Sequence, residues 1–151
     1  MGSAAKVLIV EDCLEDLQVV EQAFRHPSGW EVRVAMDGAE ALAILGVLEN
    51  EDDPWRPNLI VLDTNLPKMD GHEILEKIRQ HPDLAPTPVV MWTISCARED
   101  IELAYRLGVA AYFIKLVDTE ELLAQTTMIR EFFDKSQLYE CELCQGVEDG
   151  E

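Results

Sequence analysis

The sequence predicts an α/β protein built on a doubly wound parallel sheet of five strands. Five short apolar runs rich in β-branched residues alternate with longer stretches in which apolar residues recur every three or four positions. Runs such as Leu59-Ile60-Val61-Leu62 are apolar on both faces, which is typical of parallel strands covered by helices on both sides. The 151 residues suffice for one such domain with a substantial core.

The five strands are expected in the spatial order 2-1-3-4-5, the order of flavodoxin-like folds. The runs that predict them are Lys6–Val10, Glu31–Ala35, Leu59–Leu62, Pro88–Thr93 and Ala111–Lys115.

Each stretch that follows a strand has the spacing of an amphipathic helix. For the first four helices, the residues expected to face the sheet are Leu14, Leu17, Val20 and Phe24, then Ala39, Leu42, Ala43 and Leu45, then Ile74, Leu75 and Ile78, then Ile101, Ala104 and Leu107. A fifth helix is expected to begin near a capping residue, Asp118 or Thr119, and to bury Leu122, Ile129 and Phe133.

The composition excludes several classes of partner. Acidic residues number 30 against 12 basic ones, and the net charge of −18 repels nucleic acid and anionic membranes. No apolar run approaches the length of a membrane span, and residues 1–6 do not resemble a signal peptide. Reduced cysteines are expected in a domain of this size. We therefore predict a soluble cytoplasmic protein that binds neither nucleic acid nor membrane.

Polar residues end four of the predicted strands. Glu11 and Asp12 follow the first strand, Asp63 follows the third, Thr93 ends the fourth and Lys115 ends the fifth. Functional groups of an open parallel sheet gather beyond the carboxyl ends of its strands, where the strand order reverses. Three carboxylates, a hydroxyl and an ammonium are therefore expected in one shallow pocket. Helix capping by the same acids is the alternative for any one of them, above all for Glu11 and Asp12.

Clustered carboxylates favour a metal ion. Two of them about 5 Å apart repel by about 3 kcal/mol at an effective dielectric constant near 20. Oxygen ligands without a histidine predict Mg²⁺ as the relieving cation. With Lys115 beside it, such a site is suited to phosphoryl transfer, and Asp63, alone at its strand end, is the best nucleophile.

Three segments resemble the receiver domain of two-component response regulators, and the resemblance covers about residues 5–133. Residues 134–151 are then expected to form an acidic C-terminal tail. The segments are Val7-Leu8-Ile9-Val10-Glu11-Asp12, Leu62-Asp63-Thr64-Asn65-Leu66-Pro67-Lys68-Met69-Asp70-Gly71 and Tyr112-Phe113-Ile114-Lys115. The resemblance implies the following roles: Asp63 as phosphoacceptor, Glu11 and Asp12 as metal-binding acids, the main-chain carbonyl of Asn65 as a further metal ligand, Thr93 as switch hydroxyl, Lys115 as phosphoryl-binding lysine and Tyr112 as aromatic switch. A plain core role stays open for Tyr112.

Two positions depart from the common receiver pattern. Leu116 follows Lys115 where the family usually has a proline after a cis peptide bond. Because a cis bond without proline costs about 2.5–4 kcal/mol, we expect a trans bond and a rearranged loop before the last helix. Ile94 follows Thr93 where a small residue is usual, and we expect it to narrow access to Asp63 and slow small phosphodonors.

A narrower resemblance is to the small single-domain regulators that accompany bacterial phytochromes. It rests on Asn65–Gly71, on Pro82-Asp83-Leu84, on the missing proline and on the long fifth helix. It implies a sensor histidine kinase that responds to light as partner, and a homodimer through the fourth helix, fifth strand, fifth helix and tail. The apolar candidates for that interface are Tyr105, Phe113, Leu116, Val117 and Phe132.

Other functions remain open at this point. A receiver that acts as a scaffold without phosphorylation fits the unusual Leu116 and Ile94. A haloacid-dehalogenase-type phosphatase would need a second acid two residues after the nucleophile, where Asn65 stands. In the receiver hypothesis the chain is not an enzyme in the usual sense, because its only chemistry is its own phosphorylation and slow aspartyl-phosphate hydrolysis. With too few residues for an output domain, it is expected to signal by protein contact.

The remaining candidate ligands are weaker. Cys141 and Cys144 have the spacing of half a zinc site, which a second tail in a dimer would complete, but a local disulfide or two inert thiols explain the spacing as well. The three histidines flank predicted helices and are expected at the surface or as caps: His26, His72 and His81.

Overall fold

The computed structural model describes residues 4–27, 29–47 and 53–139. Within them five parallel strands form one sheet in the order β2-β1-β3-β4-β5, which confirms the predicted fold class. The strands are β1 (Lys6–Val10), β2 (Glu31–Ala35), β3 (Leu59–Leu62), β4 (Val89–Thr93) and β5 (Ala111–Ile114). The predicted fourth and fifth strands were each one residue too long, since Pro88 and Lys115 lie just outside β4 and β5.

One helix follows each strand. The helices are α1 (Leu14–Arg25), α2 (Gly38–Leu45), α3 (Gly71–Gln80), α4 (Arg98–Arg106) and α5 (Thr119–Asp134). Alternate residues of the strands enter two cores, as the pleat of a β-strand requires. Leu8 and Val10 of β1 pack with α2, α3 and α4 on one face, whereas Val7 and Ile9 pack with α1 and α5 on the other.

Two helix faces differ from their predicted pattern. Leu14 is 62% exposed because it is the first residue of α1 and stands beyond the end of the sheet. In α2 the residues that face the sheet include Ala41, Leu42 and Leu45, while Ala39 and Ala43 are exposed. The helix begins at Gly38, and positions three, four and seven residues after it form one stripe.

The connection between β3 and α3 is tightly packed. Asp70 caps α3 by accepting a hydrogen bond from the Glu73 amide at 3.0 Å, and Glu73 bonds back to the Asp70 amide. The amide of Gly71 donates to the carbonyl of Thr64 at 3.0 Å. This contact brings the start of α3 against the backbone that follows β3.

The loop between β5 and α5 has a trans peptide bond between Lys115 and Leu116, as predicted for a sequence without proline there. Asp118 is the N-cap of α5, and its carboxylate accepts from the amides of Glu120 and Glu121. Of the two capping candidates, Asp118 is therefore the one used.

Within the described ranges, no helix is both long enough and apolar enough to cross a membrane. Cys141 and Cys144 lie outside the described residues. The division into a domain of residues 5–133 and a tail of residues 134–151 stays a prediction.

Candidate functional site

Glu11 and Asp63 stand side by side at the carboxyl edge of the sheet. Glu11 follows β1 and Asp63 follows β3, the strand paired with β1. Their side chains are buried, with 1% and 5% exposure respectively, while Asp12 beside them is exposed. One carboxylate oxygen of each of the three residues lies within 4.8 Å of the others. The structure thus brings together the three acids that the strand ends predicted.

Lys115 reaches into this acidic group from the end of β5. Its ammonium lies 2.7 Å from Oε1 of Glu11, 2.9 Å from Oδ2 of Asp16 and 3.1 Å from Oδ2 of Asp63. Asp16, in the first turn of α1, was not among the predicted site residues. Its position in the first turn of α1 places it near this edge of the sheet, but the sequence does not show which residue of that turn reaches Lys115.

Burial and mutual repulsion control the protonation of Glu11. Burial is the main cause that raises its pKa from 4.5 to about 7, and the charge of Asp63 adds to it, against the opposing effect of Lys115. For Lys115, burial alone would lower the pKa of the ammonium. Hydrogen bonds to Glu11 and Asp16 and the charge of Asp63 outweigh burial, so the pKa of Lys115 is raised.

The donor set fits a divalent cation. Glu11, Asp12, Asp16 and Asp63 bring four carboxylates against the single ammonium of Lys115. The charge of Asp63 adds to burial in raising the pKa of Glu11, so the two neighbouring carboxylates repel each other. Oxygen atoms from Glu11, Asp12 and Asp63 are the ligands that Mg²⁺ and Mn²⁺ prefer.

The protonation of Glu11 predicts pH-dependent metal affinity. Because a pKa of about 7 lies above the ordinary value of 4.5, the folded apo-protein binds a proton between these pH values that the unfolded chain does not. A divalent cation must displace this proton, so the affinity measured with Mg²⁺ is expected to fall about tenfold between pH 8 and pH 6. Calorimetric titration at the two pH values measures this ratio. Equal affinities would contradict it, and Glu11→Gln should bind weakly at both.

Two threonines connect Asp63 to the end of β4. The hydroxyl of Thr93 lies 2.8 Å from that of Thr64, the residue after Asp63, and both side chains are buried. The amide of Ser95 donates to the Thr93 hydroxyl at 3.3 Å. Any movement of Thr93 toward Asp63 therefore changes the contacts of the loop between β4 and α4. Thr64 was missed from sequence, because no pattern marked its hydroxyl as a partner of Thr93.

Tyr112 on β5 contacts that same loop. Its hydroxyl donates to the Ser95 carbonyl at 2.9 Å, and burial, opposed by this hydrogen bond, is the main cause that raises its pKa. Ser95 also donates through its hydroxyl to Asp100 of α4 at 2.5 Å. His72 of α3 is buried and bonds to the Asp100 carbonyl at 2.9 Å, and Asp70 is the N-cap of that helix, so the expectation that His72 lies at the surface or caps a helix was wrong. Ser95 thus joins Thr93, Tyr112 and α4.

The other predicted site residues lie at the rim. The amide of Asn65 donates to Oδ1 of Asp63 at 3.0 Å, and the metal-binding role of its carbonyl stays a prediction. Ile94 directly follows β4 and is 69% exposed, and Leu116 is also exposed. Their modulating roles also stay predictions.

Ile94 offers a direct test of access to Asp63. If its side chain hinders small donors, Ile94→Ala should be phosphorylated by acetyl phosphate a few times faster than the wild type, because more of the approach is open. Initial rates at saturating Mg²⁺ measure this effect, with Leu103→Ala, an exposed residue of α4, as the matched control. Equal rates for Ile94→Ala and the wild type would exclude a gating role.

A parallel sheet in this order, with a buried lysine among strand-end acids, defines a class of phosphoryl-accepting signalling domains. The chain belongs to the family described as the response regulator receiver domain, whose model matches residues 7–127. It is similar to Response regulator Rcp1 of Synechocystis sp. (strain ATCC 27184 / PCC 6803 / Kazusa), with 36% identity over 128 residues, 84% of this chain and 87% of Rcp1.

Solved structures give the same result. The crystal structure of the phosphorylated cyanobacterial phytochrome response regulator RcpA matches with a TM-score of 0.84 and 35% identity, covering 90% of this chain and 99% of RcpA. The Mn²⁺-bound form of Rcp1 matches with a TM-score of 0.83 and 34% identity over 90% of this chain and 99% of Rcp1. Both the resemblance to receivers and the narrower one to phytochrome-associated regulators are thereby confirmed.

Proposed function

We propose that this protein is a single-domain response regulator that accepts a phosphoryl group on Asp63 from a histidine kinase, uses Mg²⁺, and signals by protein contact. The observation that carries the proposal is the position of Lys115, whose ammonium bridges Glu11, Asp16 and Asp63 at the edge where Asp12 also lies. Once a divalent cation offsets the charge of the acids, the Lys115 ammonium would be free to bind an oxygen of a phosphoryl group beside Asp63. The phosphatase alternative is not retained, since the chain belongs to the receiver family.

The chemical step is an in-line displacement. A carboxylate oxygen of Asp63 attacks the phosphorus of a phosphohistidine, the P–O bond forms as the P–N bond breaks, and the imidazole leaves with the electron pair and takes up a proton. Lys115 is placed to bind an oxygen of the incoming group, 3.1 Å from Oδ2 of Asp63. Mg²⁺ bound by Glu11, Asp12 and Asp63 would supply further positive charge to the phosphoryl oxygens.

Thr93 and Tyr112 are proposed to transmit the phosphorylation of Asp63 to the surface of the protein. A phosphoryl oxygen is a stronger acceptor than the Thr64 hydroxyl, because a charge-assisted hydrogen bond forms. Thr93 would therefore leave Thr64 and release its contact with the Ser95 amide. The carbonyl of Ser95 accepts the hydrogen bond from Tyr112, so a movement of Ser95 would also change the contact of Tyr112. The surface formed by α4 and β5 would change as a result.

A kinase can dock around the same edge. Leu14 at the start of α1 and Ile94 after β4 both lie at the carboxyl end of the sheet, and they are 62% and 69% exposed. Exposed apolar residues around a charged pocket favour contact with another protein. The similar protein RcpA is described as a phytochrome response regulator. We therefore propose that the partner of this chain is a light-responsive histidine kinase of the bacterial phytochrome class. We also propose that the protein is located in the cytoplasm.

A second copy of this chain is the proposed partner of the α4–β5–α5 face. β5 is an edge strand, and a cavity of about 340 Å³ lies between it and α5, lined by apolar side chains that include Phe113, Met128 and Phe132. Tyr105, Leu116, Val117 and Phe132 from the predicted interface are exposed, and Phe113 is half-buried. A homodimer would cover this surface.

Phe132→Glu tests the dimer. It is expected to shift the protein from dimer to monomer in light scattering, because a charge replaces an aromatic ring that is 67% exposed on the proposed interface. Met36→Glu changes an exposed apolar residue after β2, at the opposite edge of the sheet, and should leave the mass unchanged. A monomeric wild type would contradict the proposal.

The proposed function is tested by intact-protein mass spectrometry after incubation with acetyl phosphate. With Mg²⁺, a mass increase of about 80 Da, one phosphoryl group, is expected, and a chelator should prevent it. No increase under any condition, with the fold retained, would instead favour a scaffold that works without phosphorylation. Rapid release of phosphate without any accumulation of phosphorylated protein would contradict the view that the protein is a phosphoacceptor and not an enzyme.

A further inference from the structure

Gln125 of α5 binds the backbone on both sides of Lys115. Its side-chain nitrogen donates to the carbonyl of Ile114 at 2.9 Å, and its side-chain oxygen accepts from the amide of Leu116 at 3.4 Å. Only one orientation of the amide group satisfies both partners, since a carbonyl needs a donor and an N–H needs an acceptor. Lys115 is therefore held between two backbone contacts made by a single side chain.

The same side chain also holds the ring under the Lys115 ammonium. The indole nitrogen of Trp92 donates to the oxygen of Gln125 at 3.0 Å, and the ammonium of Lys115 lies 4.7 Å from the centre of a Trp92 ring. Trp92 is buried, with 1% exposure, so this hydrogen bond satisfies an indole N–H that would otherwise lose its water partner. Gln125 thus contacts both the chain that carries Lys115 and the surface on which its ammonium rests.

The residue after Lys115 explains why such a contact is needed. Leu116 has a backbone N–H, and the peptide bond before it is trans. A proline at that position would have no N–H and would restrict the backbone by its ring. With leucine, the loop gains a donor and loses that restriction, and Gln125 supplies an acceptor for the N–H and a second anchor at Ile114.

We infer that Gln125 is a positioning residue for Lys115: from α5 it holds the backbone around Lys115 so that the ammonium stays within 3.1 Å of Asp63. This inference rests on the proposed function and deepens it. Gln125 touches none of the acids proposed to bind metal. Its loss should therefore slow phosphoryl transfer without weakening metal binding.

The test compares two substitutions of Gln125. Gln125→Leu keeps the approximate volume and removes all three hydrogen bonds. Gln125→Glu keeps the two acceptor contacts but replaces the donor to Ile114 with a carboxylate oxygen that repels the carbonyl there. Gln18→Leu, an exposed glutamine of α1, is the matched control. Phosphorylation by acetyl phosphate is followed at saturating Mg²⁺, with the maximal rate and the half-saturating donor concentration measured separately, alongside Mg²⁺ affinity and thermal stability.

The maximal rate is expected to fall about tenfold in Gln125→Leu and about threefold in Gln125→Glu, while Mg²⁺ affinity stays within about twofold of the wild type. Gln18→Leu should match the wild type. A wild-type maximal rate in Gln125→Leu overturns the inference alone. Loss of rate and Mg²⁺ affinity together in both variants also overturns it, because the effect would then be general unfolding of the site. An unlabelled wild type overturns the proposed function and this inference with it.

Discussion

Asparagine in place of Asp63 is expected to abolish phosphoryl uptake. The amide cannot act as a nucleophile toward phosphorus. Glu11 is also buried and contacts Lys115, but it is assigned to the metal, which leaves Asp63, 3.1 Å from the Lys115 ammonium, as the acceptor. The adduct of about 80 Da should be absent after acetyl phosphate and Mg²⁺, with labelling reduced at least about a hundredfold. The fold should persist, because the amide keeps the size of the carboxylate.

Asp63→Asn has a second consequence that serves as its internal control. The charge of Asp63 is one of the causes that raise the pKa of Glu11 to about 7, so its removal should lower that pKa. NMR titration of the Glu11 carboxyl group measures the change. If Asp63→Asn takes up no phosphoryl group and the pKa of Glu11 is lowered, the site is still folded and only the phosphoacceptor has been lost. Labelling of Asp63→Asn at the wild-type rate would contradict the assignment.

Gly71→Ala is expected to lower the free energy of unfolding by about 3 kcal/mol. A Cβ at Gly71 would overlap the carbonyl oxygen of Asp63 and lie 2.9 Å from the Cα of Thr64. Both neighbours are backbone atoms, which cannot move without displacing the residue after β3. Thermal denaturation should show a Tm lower by roughly 6–12 °C for a chain of this size. Phosphorylation should also slow, since the backbone of Asp63 would shift.

Gly38→Ala is the matched control for Gly71→Ala. Its Cβ would lie 3.0 Å from Cβ and Sδ of Met69 and 3.1 Å from Cδ1 of Ile74. These are side-chain atoms at 3.0 Å or more, and small shifts of the two side chains relieve such contacts more easily than a backbone overlap. We expect a loss below about 1 kcal/mol. Equal destabilisation by the two substitutions would contradict the view that Gly71 is required for close approach of α3 to the backbone of Asp63 and Thr64.

The sheet and its functional edge were predictable because a few local patterns determine them. Apolar runs flanked by turn residues define the strands, and the register of a parallel sheet brings all its carboxyl ends to one side. Glu11, Asp63 and Lys115 follow directly from these rules, since each stands immediately after its strand. The trans peptide bond before Leu116 was also predictable, because the free-energy cost of a cis bond without proline depends only on the local sequence.

Contacts made by helix residues were not predictable in the same way. Asp16 reaches Lys115 from α1, and Gln125 reaches the loop after β5 from α5. Which helix residue meets a strand end depends on how the helix is docked, and the sequence spacing alone leaves several candidates on each turn. The exposure of Leu14 has the same origin, because the periodicity of α1 does not show where the sheet ends. The site was incompletely predicted because the sequence does not show how each helix docks on the sheet, although the local conformation of each element was predictable.

The central claim is that Asp63 becomes phosphorylated, and chemical trapping tests it most directly. Borohydride reduces an aspartyl phosphate to an alcohol, and peptide mapping by mass spectrometry then locates the changed residue. After acetyl phosphate and Mg²⁺, we expect the reduced residue at position 63 alone, at the end of β3 beside Glu11 and Lys115. A reduced side chain at Asp12 or Asp16, or none in a protein that carries the phosphoryl mass, would contradict the account.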